Sequence, residues 1–183
     1  KGFLWIGTRN GLDRYDAVND RFDNYFHEPS DARSLASNEV FALCKDHTGN
    51  LWIGTYGGGI SRLRDGKIVS ITSKNGLAED IASRILADDR DNFWVLGNQG
   101  IYVVPRNLLN DFADGKTKRV YCRVYNIKDG METSEGNGGN QPAGWKTKDG
   151  KLWFPMIHGG VIIDSQSVNF NPAPVYLVCR LLL

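Results

Sequence analysis

Gly49-Asn50-Leu51-Trp52-Ile53-Gly54-Thr55-Tyr56-Gly57-Gly58-Gly59 decides the fold, because the stretch returns three more times in altered form. The copies are Gly2-Phe3-Leu4-Trp5-Ile6-Gly7-Thr8-Arg9-Asn10-Gly11, Asp91-Asn92-Phe93-Trp94-Val95-Leu96-Gly97-Asn98-Gln99-Gly100 and Gly150-Lys151-Leu152-Trp153-Phe154-Pro155-Met156-Ile157-His158-Gly159. In each copy a Trp follows Leu or Phe, and a Gly stands six residues after that Trp. The Trp residues are 47, 42 and 59 positions apart along the chain. A period of about 40–45 residues with several short strands per unit is the mark of propeller blades. Helical repeats of similar length would need apolar stripes at 3.6 spacing, and the chain has none.

The second unit shows the pattern most clearly. Residues 39–45 form an apolar run suited to a strand buried on both faces. Asp46-His47-Thr48-Gly49-Asn50 is turn chemistry, since Gly supplies positive φ and Asp or Asn bonds its own backbone. Residues 51–55, 60–63 and 67–72 read as three further strands, separated by the glycine triplet and by Asp65-Gly66. Four strands, A to D, joined by hairpins make one antiparallel blade. Such a sheet cannot bury both faces alone, so it must stack on neighbours.

The sequence therefore predicts an all-β chain, a β-propeller fragment of about four blades with the first and last incomplete. The blades span 3–26, 38–72, 80–127 and 138–168. In blade three the strands are expected at 81–87, 93–97, 101–105 and 119–127, with a short helix before Gly115 enlarging the C–D connection. Blade four is expected to use 143–147, 152–156 and 161–164. Propellers close with 4–8 blades. We read the chain as part of a larger, seven-bladed-type ring spanning 1–170, with residues 171–183 a linker and the first strand of a following β-sandwich. Exposed sheet edges and an uncovered blade face predict that the fragment alone is poorly stable or self-associating.

Composition narrows the function classes. Lys+Arg and Asp+Glu number 22 and 21, which leaves no basic footprint for nucleic acid. The longest apolar run is far short of the roughly 18–20 residues of a membrane span, so no membrane contact by this segment is expected. Cys44, Cys122 and Cys179 are odd in number and too far apart for a CxxC motif. They read as buried small side chains, with a disulfide or a reactive thiol as the alternatives. No pair among His27, His47 and His158 has metal-ligand spacing, so neither a metal nor a cofactor is expected. The glycine clusters lack the Lys-Ser/Thr and helix of a phosphate loop. No Ser/His/Asp constellation can be assembled.

Ser34-Leu35-Ala36-Ser37-Asn38-Glu39-Val40, then Asp46, then Gly49–Thr55 resembles the two-component regulator propeller repeat. The segment from Asp129 to Trp145 resembles the last blades of such propellers, and Asn171–Val178 the start of the β-sandwich that often follows them. Blades three and four depart from the motif, with Leu96-Gly97 for Gly-Thr and with Pro155-Met156. The resemblance implies a role. Such propellers are extracytoplasmic sensors of bacterial hybrid histidine kinases or diguanylate cyclases, here periplasmic and part of a receptor homodimer. Any kinase or cyclase activity would then belong to the parent protein.

In a propeller strand A lines the central channel, and the B–C and D–A connections emerge on one face. Loops on a rigid scaffold are where function concentrates. The B–C turns present Arg9, Asn10, Tyr56, Asn98, Gln99 and His158. The D–A connections add Arg33, Asn137 and Gln141, together with Asn38, Glu79, Asp80, Glu135 and Asn140. These amides, charges and one aromatic ring suit a polar or weakly anionic small molecule, such as an oligosaccharide. The alternatives are a propeller-fold carbohydrate-active lyase or hydrolase, and a structural dimerisation scaffold. The repeated Trp residues are expected to pack between blades. Trp145 holds the strand A position of Cys44 and Leu86, and is read as core with the channel as alternative.

Overall fold

The computed structural model describes residues 2–168. The expected linker and sandwich strand at 171–183, and Cys179, lie outside the described residues. Blade one joins β1 (Leu4–Thr8), β2 (Gly11–Asp16) and β3 (Arg21–Tyr25). Blade two joins β4 (Val40–Lys45), β5 (Leu51–Thr55), β6 (Ile60–Arg64) and β7 (Lys67–Ile71). Blade three joins β8 (Arg84–Ala87), β9 (Asn92–Leu96), β10 (Ile101–Pro105) and β11 (Arg123–Tyr125). Blade four joins β12 (Trp145–Lys146), β13 (Leu152–Pro155) and β14 (Gly160–Ile163). Every sheet is an antiparallel meander. The all-β propeller architecture is thus present, as four stacked blades.

Three strands are clearly shorter than the sequence predicts, β8, β11 and β12 (expected at 143–147), the first two for the same reason. The first residues of the 81–87 run bond to other partners: Ile81 bridges Tyr56, and the Ala82 amide donates to Thr55 O at 2.9 Å. Likewise Val120 leaves the expected last strand of blade three, its amide donating to Asn75 O at 2.8 Å. In both cases backbone groups are spent between blades instead of within one.

Strand parity builds the core. Side chains alternate faces along a strand, so Leu51 and Ile53 look one way and Trp52 the other. Leu51, Ile53, Leu63 and Ile68 meet Leu12, Trp5 and Tyr25 of blade one. On the opposite face Trp52, Ile60 and Ile71 meet Phe93, Val95, Tyr102 and Val104 of blade three. Trp94, Leu96, Ile101 and Val103 then meet Leu152, Phe154, Val161 and Ile163 of blade four. The inter-blade packing expected of the Trp residues holds for Trp52 and Trp94, both fully buried, and for Trp5, which packs against blade two. Trp5 and Trp153 are half-buried. Trp145 is neither core nor buried: it pairs with Trp153 on the face of blade four turned away from blade three, and is 61% exposed.

The glycine six residues after Trp is the true counterpart in only three copies. Gly11, Gly100 and Gly159 close their hairpins with φ of 111°, 136° and 75°. In blade two that place belongs to Gly59, with φ 66°, whose carbonyl accepts from Thr55 N at 3.0 Å. The turn is one residue longer there, and Gly59 needs the left-handed conformation that Gly adopts without strain.

Asp46 and Asp88 do more than turn the chain. The Asp46 carboxylate accepts from Trp52 Nε1 (2.9 Å), Asn50 Nδ2 (2.9 Å) and the amides of Thr48 and Asn50 (2.9 Å each). Asp88 repeats this with Trp94 Nε1 (2.8 Å), Asn92 Nδ2 (3.0 Å) and the amides of Arg90 and Asn92 (2.9 Å each). The turn is thereby tied to the buried indole of the same blade. In blade four Thr147 stands in that position, bonding Lys151 O at 3.0 Å, and Trp153 has no such tie.

The expected short helix is α1 (Arg106–Ala113), followed by Gly115 with φ 74°. It inserts between β10 and β11 and lies under blades two and three. Leu109 is fully buried in the core between them. Arg62 of blade two donates to Asn110 Oδ1 at 2.8 Å and pairs with Asp114 at 2.6 Å. Cys44 and Cys122 are free thiols packed against the same core, and burial pushes both thiols up. Among the described residues no helix is long and apolar enough to cross a membrane.

Candidate functional site

Backbone hydrogen bonds lace the B–C turns to the D–A connections, which places both on one face. Gly11 N donates to Asn38 O (2.7 Å), Tyr56 N to Glu39 O (2.9 Å) and Gly57 N to Asp80 O (2.8 Å). Gly136 N donates to Gly97 O (3.1 Å), and Ile157 N to Glu135 O (3.0 Å). The turns of blades one, two and three are held by the segment entering the next blade. Those of blades two and four are bonded to the segment entering their own blade. The loops are thus fixed largely by the same stacking that builds the core.

A cleft of about 390 Å³ opens along the inner strands of this face. Thr8 and Arg9 come from blade one, Val40 and Phe41 from β4, Arg84 from β8, and Gln141 from the connection into blade four. Gln141 Nε2 donates to Phe41 O at 2.9 Å, spanning the arc between residues 100 apart in sequence. The volume falls within the range of small-molecule pockets, roughly 300–1,000 Å³.

Of the residues the sequence singled out, Arg9 and Gln141 line this cleft. Tyr56 is 47% exposed at its rim, its ring 6.1 Å from that of Phe41. Asn10 shapes the adjoining turn, its amide donating to Thr8 Oγ1 at 3.0 Å. The others lie apart from the cleft. Arg33 is exposed and pairs with Asp31. The Asn137 amide donates to Pro155 O at 3.0 Å. His158 borders a separate small indentation with Glu132 and Thr133. Asn38 and Asp80 are structural: Asn38 Oδ1 accepts from His27 N (2.7 Å), and Asp80 from Ser73 N (2.6 Å) and Ser73 Oγ (3.0 Å). Sequence reading missed Thr8, Phe41 and Arg84. Arg84 carried a usable signal, as the one charge inside the apolar run 81–87.

Asn98 and Gln99 are presented by a buried carboxylate. Glu79 accepts from Asn98 N at 3.1 Å and Gln99 N at 2.8 Å. Burial pushes its carboxyl up, and the bonds from Gln99 and Asn98 pull against that rise. This accounts for Gly97 in blade three where blade two has Thr55. A Cβ on residue 97 would stand 2.0 Å from Glu79 Oε1. Gly97→Ala must therefore expel the carboxylate and leave two turn amides unmet. The expected cost is about 1–3 kcal/mol, with faster hydrogen exchange at Asn98 and Gln99. Wild-type protection of those two amides would show that Glu79 does not hold the turn.

Among the described residues no group of three or more His, Cys, Asp or Glu is placed to hold a metal ion.

Residues 34–57 match the family model described as two component regulator propeller. The chain carries a two component regulator propeller repeat. That repeat runs from Ser34 through β4 and β5 to Gly57, and so includes Asp46, Trp52 and Tyr56. Among solved structures, the fold is similar to the extracellular domain of BT3049 from B. thetaiotaomicron, assigned as a hybrid two component system. That match has a TM-score of 0.70 and 21% identity, over 93% of this chain and 22% of that one. The extracellular domain of BT4673 from the same organism, assigned as a one component system, matches with a TM-score of 0.71 and 20% identity, over 92% and 23%. Virginiamycin B lyase from Staphylococcus aureus matches with a TM-score of 0.61 and 17% identity, over 90% and 50%. At these identities the likeness is one of fold. The chain spans under a quarter of the first two domains. Comparison with curated protein sequences gives no match.

Proposed function

We propose that the chain is a non-catalytic, ligand-sensing segment of an extracytoplasmic propeller in a bacterial membrane receptor with histidine kinase or diguanylate cyclase output. The observation that carries this reading is the cleft joining Arg9, Phe41, Arg84 and Gln141 from successive blades. The regulator propeller repeat and the fold of the two Bacteroides extracellular domains support the setting. Carboxylates that an enzyme would use are instead spent on the scaffold: Asp88 on Trp94, Asp80 on Ser73, Glu79 on the Asn98 turn. The ligand is a polar small molecule or an oligosaccharide. It bridges inner strands of neighbouring blades, and the change in blade spacing is passed to a second receptor chain in a homodimer.

A thermal-shift screen of oligosaccharides on this chain tests the reading. A cognate sugar at 100 times its Kd stabilises by about 2.7 kcal/mol, a shift of roughly 5–11 °C for a chain of this size. Gln141→Ala should abolish that shift while costing the unliganded transition only the lost bond to Phe41 O, about 0.5–1.5 kcal/mol. Stabilisation by no sugar pool, or a shift insensitive to Gln141→Ala, would remove the cleft as the sensing site.

A further inference from the structure

We infer that the channel-side cleft is selective for an anionic group, a carboxylate or a sulfate ester, received by the guanidinium of Arg84 with Arg9 as the second cation. The inference rests on the ligand-sensing reading above and specifies what that ligand carries.

Arg84 sits on β8, flanked by Ser83 and Ile85, and contributes to the cleft wall. The side chain is half-buried, yet among the described residues it has no ion pair. Its Nε is buried without a hydrogen-bond partner. Burial draws its pKa down, and only Cys44 pulls the other way. Arg62 and Arg106 also carry a buried Nε without a partner, but their terminal guanidinium nitrogens are paired. Arg62 is clasped by Asp114 and Asn110, and Arg106 pairs with Asp91. A half-buried cation without an ion pair carries part of the cost of burying a charge, and a bidentate anion is the group whose geometry best offsets that cost.

The rest of the wall agrees. Arg9 also has no ion pair among the described residues, and it faces the same cleft from the β1–β2 turn. No Asp or Glu lines the cleft. Its neutral polar groups are Thr8 and Gln141, and Gln141 is held in place through Phe41 O. Two cations, no anion, one hydroxyl, one amide and one aromatic ring describe a receptor for a hydroxylated anion. The chain as a whole is nearly neutral, so this local excess is not a by-product of net charge.

The test is a side-chain NMR titration of the 183-residue chain at constant ionic strength. The probes are sodium galacturonate for a carboxylate, glucose 6-sulfate for a sulfate ester, and galactose as the neutral control. The readouts are the Arg84 Nε–H and Gln141 Nε2–H resonances. Both anions should shift these resonances saturably, at least tenfold tighter than galactose, and the stronger of the two names the anionic group. Arg84→Gln should abolish the saturable shift at Gln141. Arg84→Lys, which keeps the charge but not the fork, should restore part of it. The folded spectrum of Arg84→Lys controls for a variant that fails to fold. Galactose binding as tightly as the anions, or an anion shift at Gln141 unchanged by Arg84→Gln, would overturn the anion assignment and leave the sensing reading standing. No saturable shift at either resonance with any probe would overturn both.

Discussion

Trp94→Ala is expected to lower the unfolding free energy by about 4 kcal/mol, which for a chain of this length is a fall of roughly 8–16 °C in Tm. Trp94 is fully buried between blades three and four, its ring stacked on Tyr125 at 5.5 Å. Removing it opens a cavity between two sheets whose backbones are fixed by their own ladders, so little collapse can refill the space. It also strips Asp88 of its Nε1 donor. Trp52→Ala should behave alike, because Trp52 is equally buried, packs edge-on against Phe93 at 5.4 Å and donates to Asp46. Trp5→Ala and Trp153→Ala should cost only about 1–2 kcal/mol, since both side chains are half-buried. Guanidinium melts of the four variants decide the matter. Equal losses at all four positions would contradict the inter-blade assignment.

Asp46→Ala should cost about 3 kcal/mol at pH 7. Burial by itself would raise the Asp46 carboxyl, but hydrogen bonds from Trp52, Asn50 and Thr48 outweigh it and hold the pKa at about 2. The unfolded value is near 3.9, so the folded state prefers the carboxylate. The sign follows: this contribution is fully present above about pH 4 and is lost as the pH falls toward 2. The difference between those values is worth about 2.6 kcal/mol. Asp46→Asn removes the titration but keeps the volume, and should flatten the acid limb of stability between pH 4 and 2. Wild type and Asp46→Asn losing stability in parallel over that interval would mean that the turn is not held by the carboxylate.

The repeat was legible because it is local. Leu-Trp-Ile-Gly followed by a turn states strand parity, hairpin position and blade number within a few residues, and the strands of blade two fall within one residue of their expected bounds. The Asp-Asn-Trp tie was legible only in part. Asp46 and Asp88 announce a turn, while their bonds to Trp52 and Trp94 depend on an indole six residues on folding back over that turn. The surface loops were legible as loops and not as a site. Asn98, Gln99 and Asn137 have the polarity of contact residues, but their backbones are committed to neighbouring segments and they stand apart from the cleft.

What the sequence determined by itself was the blade: its strands, its turns, and the face that each of Leu51, Trp52 and Ile53 presents. Periods of two and of about 42 residues carry that information without reference to anything distant. What only the tertiary structure decided was the cleft. Arg9, Phe41, Arg84 and Gln141 come from four successive units, and no local rule relates them. Their meeting depends on how far each sheet turns against the next, which is set by the volumes of Trp52, Phe93, Trp94 and Phe154 between the blades. Blade packing therefore sets the spacing of the cleft residues, and a ligand that bridges them acts back on that packing.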